Sequence, residues 1–359
     1  MPPTSFAESS ANVDDDTAYA PESVVDEESI LTESVQAQVP RKWLSWHYRS
    51  QDESLIAFSN HHYYEDRLSS FPPAPVSSGP NEAIDGHGIS FVRVDGHFER
   101  TGKGKSLRTN LVEAEAIVDD IQRRFWASPD GSPSVGVITF NAQQRDLIEN
   151  LLRDTCDERI LRSLDEPDGL FVKNLENVQG DERDCILFSV AFSENDKGVL
   201  PLNFGPLGRA GGERRLNVAV TRARRQVILF ASFDPDRLRA EQTSSVGIKH
   251  LKAYLELAAR GVEAVSDDGR RMPQIDRHRD EIAAELRLAG YTVRTDVGLS
   301  EFRVDISIAD ADRPDRPLVA LLLDGEGWRA RQTVADRDGL PTDVLKGSCG
   351  GPESSASGC

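Results

Sequence analysis

Glu213-Arg214-Arg215-Leu216-Asn217-Val218-Ala219-Val220-Thr221-Arg222-Ala223-Arg224-Arg225 is the stretch on which the reading of the fold turns. A helix beginning near Glu213 would carry Arg215, Val218 or Ala219, and Arg222 on one face, because they stand three or four and seven residues apart. Guanidinium forks in such a row match phosphate oxygens bidentately. The same spacing also describes a solvated arginine-rich helix, and on charge alone that plainer reading is favoured. What lies on either side decides how much weight the row deserves. Cys185 to Val190 before it and Val227 to Ala231 after it are apolar, β-rich runs that read as strands.

Further out, strands and helices keep alternating. Ile89 to Val94, Val135 to Phe140 and Leu170 to Lys173 read as strands. Asn110 to Phe125 reads as a helix, with Asn110 and Glu113 spaced as a capping box and Leu111, Ala114, Ile117, Ile121 and Phe125 as its apolar stripe. A second helix is expected from about Ala142 to Leu152, and a third from about Gly247 to Ala259. Strand–helix alternation of this kind implies a parallel sheet covered on both faces, an α/β sandwich. A smaller unit follows the polar stretch Ser266 to Pro273. It reads as a helix (Asp276 to Ala289) and three strands (Tyr291 to Arg294, Phe302 to Ile308, Leu318 to Leu323). Residues 7–39 read as an acidic loop or partly disordered insertion, Ser69 to Pro80 as a Pro/Ser linker, and 347–359 as an unstructured end.

The chain has 359 residues, 28% of them charged, and a formal net charge of -18. That acidity argues weakly against a nucleic-acid partner, because it is unevenly spread. Glu8 to Glu33 holds nine acids and no base, whereas Arg209 to Arg239 holds eight arginines. No signal peptide and no apolar run of membrane-spanning length is present, so the expected location is cytoplasmic with no membrane partner. The four cysteines are scattered without C-x-x-C spacing, which speaks against structural zinc and a disulfide framework.

Arg214 to Arg224 (RRLNVAVTRAR) resembles motif VI of superfamily 1 helicases, particularly the Upf-like group. Other segments resemble that family in the same order. Leu44 to Ser50 (LSWHYRS) is similar to motif IV, and Asn110 with Glu113 and Ala114 to an N-x-x-E-A element that opens a helix. Val137 to Gln143 is similar to a strand-to-helix turn that meets the nucleic-acid backbone, and Val172 to Asp184 to motif V, with Gln179-Gly180 at a tight turn. The resemblance implies a RecA-like parallel sheet sandwiched by helices, the second domain of a P-loop NTPase helicase. It assigns Arg49 and Arg222 to the γ-phosphate of ATP, Arg222 as an arginine finger neutralising transition-state charge. Gln179, Gly180, Glu182 and Arg215 would couple nucleotide state to strand grip. By the same resemblance Thr139, Asn141, Gln143, Asn217 and Thr221 would contact DNA or RNA in single-stranded form.

The chain also departs from the family. It has no G-x-x-x-x-G-K-[S/T] loop, since Gly102-Lys103-Gly104-Lys105 lacks the spacing, and no acidic magnesium site of the first motor domain. Met1-Pro2-Pro3-Thr4 resembles the tail of motif III. ATP and Mg2+ would therefore be held mainly by an N-terminal RecA-like domain lying outside this chain, and the chain alone should be catalytically incomplete. In the C-terminal unit, Asp305, Asp324 and Glu326 fall at the ends of adjacent strands, where acids could hold a divalent metal against a phosphodiester. The pattern resembles the Vsr-like branch of the restriction-endonuclease fold, although no lysine occurs between Lys252 and Lys346. The plain alternative is that these acids end strands at the surface and bind nothing.

The expected organisation is a remnant with an acidic insertion (1–40), a RecA-like domain (41–262), an incomplete endonuclease-like domain (263–346) and a tail (347–359). The expected activity of the intact protein is ATP-driven unwinding of, or translocation on, nucleic acid. Two other readings stay open: a metal-dependent nuclease using the motor half as a platform, and a non-catalytic module that docks on a separate ATPase half.

Overall fold

The computed structural model describes residues 30–40, 42–72, 86–101, 107–129, 131–261, 275–314, 317–331 and 333–349. The chain divides after Leu44, and the unit beginning at Ser45 holds two sheets. In the first, β1 (Gly88–Arg93), β2 (Val135–Thr139), β3 (Phe171–Asn174), β4 (Arg183–Ser193) and β5 (Ala223–Ser232) run in the order β1-β5-β4-β2-β3. Every pairing in it is parallel. Parallel neighbours need crossovers, and helices supply them. The chain has an α/β architecture, a parallel sheet covered by helices, as the alternating pattern led one to expect.

Period-two alternation sends successive strand residues to opposite faces. On one face, Ile228 and Phe230 of β5, Leu187 of β4 and Val137 of β2 pack with α3 (Leu111–Ala127), α4 (Ala142–Asp154) and α5 (Glu158–Asp165). Ala114, Ile117, Ile121 and Phe125 of α3 are all fully buried, each large side chain contributing about 1.5–3 kcal/mol by leaving water. Leu111, expected in that stripe, is instead half exposed at the first position of the helix and lies outside the buried cluster. The other face is covered by α2 (Ser54–Tyr63), α6 (Gly212–Val220) and α7 (Val246–Arg260), with α7 packing on β1 and α2 on β5.

The second sheet is an antiparallel meander, β6 (Thr292–Val297), β7 (Val304–Ala309) and β8 (Pro317–Leu321). It follows α8 (Arg277–Leu288) and precedes α9 (Glu326–Ala330) and α10 (Leu340–Cys349).

Several expectations are corrected. Part of the stretch read as loop, Ile30–Gln36, is helix α1, and residues 7–29 lie outside the described residues. The start of the supposed linker is packed: Ser69, Ser70 and Phe71 are buried, while 73–80 lie outside the described residues. Residues 347–349, expected to be unstructured, finish α10, and 350–359 are outside the described residues, as are Met1 to Thr4 and the Gly102 to Lys105 segment. Helix α5 escaped the sequence reading, although Asp157 caps it by accepting the Arg159 N–H at 2.9 Å.

Candidate functional site

At the amino ends of β4 and β5, three segments far apart in sequence meet. Arg49 Nε lies 3.0 Å from Glu182 Oε2, and Glu182 Oε1 is 3.7 Å from Arg224. Arg224 also pairs with Asp184 at 2.7 Å. The backbone fixes this arrangement: the Gln51 N–H donates to the Arg224 carbonyl at 2.7 Å and the Arg183 N–H to the Arg222 carbonyl at 3.1 Å. The segment carrying Arg49 is thereby stitched to the start of β5.

Arg222 does not extend the helical row read from the sequence. Helix α6 stops at Val220, where the Thr221 hydroxyl donates to the carbonyls of Asn217 and Val218, both at 3.0 Å, and closes the last turn. The chain must straighten there so that Ala223 can pair with Arg183. Arg222 therefore stands at the junction of helix and strand rather than on one helical face with Arg215. Its Nε donates to the Val218 carbonyl at 2.7 Å and one Nη to the Asp181 carbonyl at 3.4 Å. Burial, and after it the charge of Arg49, holds its guanidinium below the ordinary arginine value. Two half-buried cations thus crowd one another with Glu182 between them, a field that a phosphate dianion would relieve. The residues present fit the terminal phosphate of a nucleotide on that ground.

The motif V turn is formed as expected. Gly180 has φ +94°, a left-handed value that glycine adopts freely, and Gln179 beside it is exposed. Lys173 pins the far side of this loop through Asp181 at 2.7 Å. Arg215 lies on α6, half-buried.

The residues assigned to nucleic acid are dispersed between two places. Thr139 is fully buried at the end of β2, and its hydroxyl donates to the Asn141 carbonyl at 2.8 Å. Asn141 caps α4 by accepting the Gln144 N–H at 2.8 Å, and Gln143 is exposed on the first turn. Asn217 and Thr221 lie on and after α6. Asn217 is 4% exposed, and its Oδ1 is buried without a hydrogen-bond partner among the described residues.

The N-x-x-E-A element is a buried polar network rather than a reciprocal capping box. Asn110 Oδ1 accepts the Glu113 N–H, but the Asn110 N–H is taken by Gln144 Oε1 at 2.7 Å. Glu113 is freed to accept from Ser189 Oγ and the Ala191 N–H, both at 2.7 Å, and from Ser232 Oγ at 3.3 Å. Burial pushes its carboxyl up to about 8 against the pull of those donors. The network clamps Ala191, which has φ +68° where β4 shifts register, since Asn110 Nδ2 also donates to the Ala191 carbonyl.

Asp305, Asp324 and Glu326 are not gathered into a metal cage. No group of three or more His, Cys, Asp or Glu side chains suited to a metal ion occurs among the described residues. Asp305 instead spends Oδ2 on the Leu323 N–H at 2.8 Å, and burial raises its carboxyl. At the opposite, carboxyl edge of the large sheet, Arg93, Ser193, Ser232 and Arg237 line a cavity of about 210 Å3 in which Arg237 is paired with Glu194.

Residues 27–234 match the model of the AAA domain family, more than half of the chain. The chain belongs to the AAA domain family. The chain is 35% identical over 265 residues to an uncharacterized ATP-dependent helicase, MG140, of Mycoplasma genitalium, covering 71% of this chain and 22% of that protein. It is 29% identical to the putative helicase MOV-10 of Gallus gallus, over 53% of this chain and 20% of that one. It is also 25% identical to DNA polymerase alpha-associated DNA helicase A of Saccharomyces cerevisiae, over 66% and 32% respectively. The chain spans about a fifth to a third of the length of these relatives. The matched region of the AAA domain contains Arg49, Glu182 and Arg222 but ends before α8 and the small sheet.

Sequence reasoning missed Arg224 and Asp184, which complete the charge cluster around Glu182. Their signal was present only as positions: Asp184 is the second residue of β4 and Arg224 the second of β5, next to the Arg183–Ala223 pair that starts the two strands together.

No helix among the described residues is long and apolar enough to cross a membrane.

Proposed function

We propose that this chain is the second motor lobe of an ATP-dependent helicase or translocase of superfamily 1, in the Upf-like group, acting on single-stranded DNA or RNA. The observation that carries the reading is the meeting of Arg49, Glu182 and Arg222 at one edge of the sheet, each delivered by a different segment. In this reading a separate RecA-like domain, N-terminal to this lobe, holds ATP through a lysine loop and supplies the magnesium site. Arg49 and Arg222 then approach the γ-phosphate from the other side of the cleft. Phosphoryl transfer asks little covalent chemistry of a protein, so positioned positive charge is the main contribution this lobe can make. Arg222 is the finger in this reading: its guanidinium is fixed at Nε by the Val218 carbonyl, and its two Nη groups, which donate to the Asp181 carbonyl and the Thr221 hydroxyl, would exchange those contacts for phosphate oxygens. Glu182 holds Arg49 in place until Arg49 exchanges that ion pair for the phosphate, which couples the nucleotide to the Gln179-Gly180 turn.

Nucleic acid would cross the carboxyl end of β2 and the α4 cap, where Thr139, Asn141 and Gln143 lie, with Asn217 and Thr221 linking that grip to Arg222. The helix followed by three antiparallel strands is consistent with the opening of an endonuclease-like unit, and no metal role is assigned to it.

The test is ATP hydrolysis with and without single-stranded nucleic acid, for the chain alone and for the chain joined to a domain carrying a Walker A loop. Background activity alone and stimulated turnover when joined are expected. Stimulated turnover of about one per second by the chain alone would refute this division of labour.

A further inference from the structure

We propose that the small C-terminal sheet is a brace for the arginine segment, with Asp336 and Trp46 acting as positioning residues for Arg49. This rests on the reading of Arg49 as a phosphate-facing residue.

Residues 45–53 contain no regular element; a single bridge joins Trp46 to Ser69, and α2 begins only at Ser54. A segment so thin does not hold a guanidinium still by itself. It is gripped on both sides of Arg49 from the region around the small sheet. Three residues before Arg49, the Trp46 ring stacks on Phe71 (centroids 5.2 Å, planes 14° apart) and leans on Phe302 at 5.7 Å. Its Nε1–H donates to Asp336 Oδ1 at 2.9 Å, while Thr333 donates to the other oxygen of that carboxylate at 2.6 Å. Leu340, Val344 and Leu345 of α10 pack against the same aromatic cluster.

Four residues after Arg49, Glu53 is 3% exposed and accepts the Leu299 N–H at 2.8 Å. Ser70, next to the bridge partner of Trp46, exchanges two hydrogen bonds of 3.0 Å with the Ser300 hydroxyl. These contacts come from the loop between β6 and β7 and from the stretch before α10, all outside the region that matches the AAA domain model. The buried Glu53 carboxylate and the half-buried Trp46 indole N–H each lose a partner if the sheet moves away, so the grip is directional as well as apolar. Arg49 lies between the two anchors in sequence and pairs with Glu182, the residue just before β4 of the large sheet. The position of the small sheet is thereby passed to the guanidinium.

The experiment is hydrogen exchange on the full chain, read at the amides of residues 47–53, for the parent, Asp336→Ala, Asp336→Asn and Trp46→Phe. Asp336→Ala and Trp46→Phe, which keeps an aromatic ring beside Phe71 but loses the N–H and part of the ring area, should each speed exchange in this window about tenfold. Asp336→Asn keeps an acceptor oxygen and should stay near the parent. Exchange in β2 and β4 should not change, which separates positioning from general loosening. The second arm is the joined, ATP-hydrolysing protein, in which Asp336→Ala should lower kcat about tenfold with little change in KM. Unchanged exchange at 47–53 in both Asp336→Ala and Trp46→Phe would overturn the brace, whatever Arg49 does. Faster exchange together with normal turnover of Arg49→Ala would overturn the catalytic meaning of the brace by removing the phosphate reading beneath it.

Discussion

Replacing Glu113 by alanine removes the acceptor at the centre of the network that binds α3 to β4 and β5. Three donors lose their partner: Ser189 Oγ, the Ala191 N–H and Ser232 Oγ. The Ala191 N–H is fixed in direction and fully buried, so leaving it unpaired costs about 1–3 kcal/mol. The two hydroxyls can rotate, and roughly 0.5–1 kcal/mol each is a fair allowance for bonds of this kind. The sum, about 2–5 kcal/mol, is a large share of the 5–15 kcal/mol by which domains are typically stable. Urea unfolding followed by circular dichroism at pH 7 measures it. Glu113→Gln, which keeps one acceptor oxygen, should fall between parent and alanine. Because burial raises the folded carboxyl from 4.5 to about 8, the folded state keeps its proton longer than the unfolded chain. Stability from this group is therefore present below pH 4.5 and lost as pH rises through about 8, and Glu113→Gln should remove that part of the slope. An alanine variant within half a kcal/mol of the parent would refute the claim that this element is a structural clamp.

Other outcomes follow from the same contacts. His47 and His62 are held neutral, at about 4, by burial first, with Arg49 adding to the effect on His47 and His250 on His62. A folded value below the ordinary 6.5 means that stability falls as pH drops from about 6.5 towards 4, and His62→Gln should flatten that limb of a melting-temperature profile. An unaltered limb would show that His62 is not responsible for it. Asp305→Ala should cost about 1 kcal/mol through the lost Leu323 N–H bond, and millimolar manganese should leave the melting temperature of the parent unchanged. A manganese-dependent rise that Asp324→Asn abolishes would instead establish a metal site at these acids.

The large sheet was legible because both of its sequence signals are local. β-branched runs gave all five strands to within a few residues, and the periodic stripe gave α3. The gaps share a physical cause, which is that tertiary pairing overrides local pattern. Arg222 sits on a helical spacing, yet the pairing of Ala223 with Arg183 pulls it off the helix. Asn110 and Glu113 sit on capping-box spacing, yet Gln144, 31 residues beyond Glu113, takes the backbone donor that Glu113 would have satisfied. Phe71 reads as part of a linker, but the aromatic rings of Trp46 and Phe302 bury it. Arg49 and Glu182 were marked by resemblance alone, Arg222 also by its place in the arginine row, and no spacing in the sequence could have placed the first two 3.0 Å apart.

The most direct measurement is nucleic-acid-stimulated ATP turnover of the joined protein carrying Arg222→Ala, beside Arg222→Lys. The account predicts a fall in kcat of roughly a thousandfold or more, the scale of losing an arginine finger, with a smaller change in nucleotide affinity. It predicts that lysine will not rescue turnover, because an ammonium lacks the planar fork. Turnover in Arg222→Ala equal to that of the parent would contradict it.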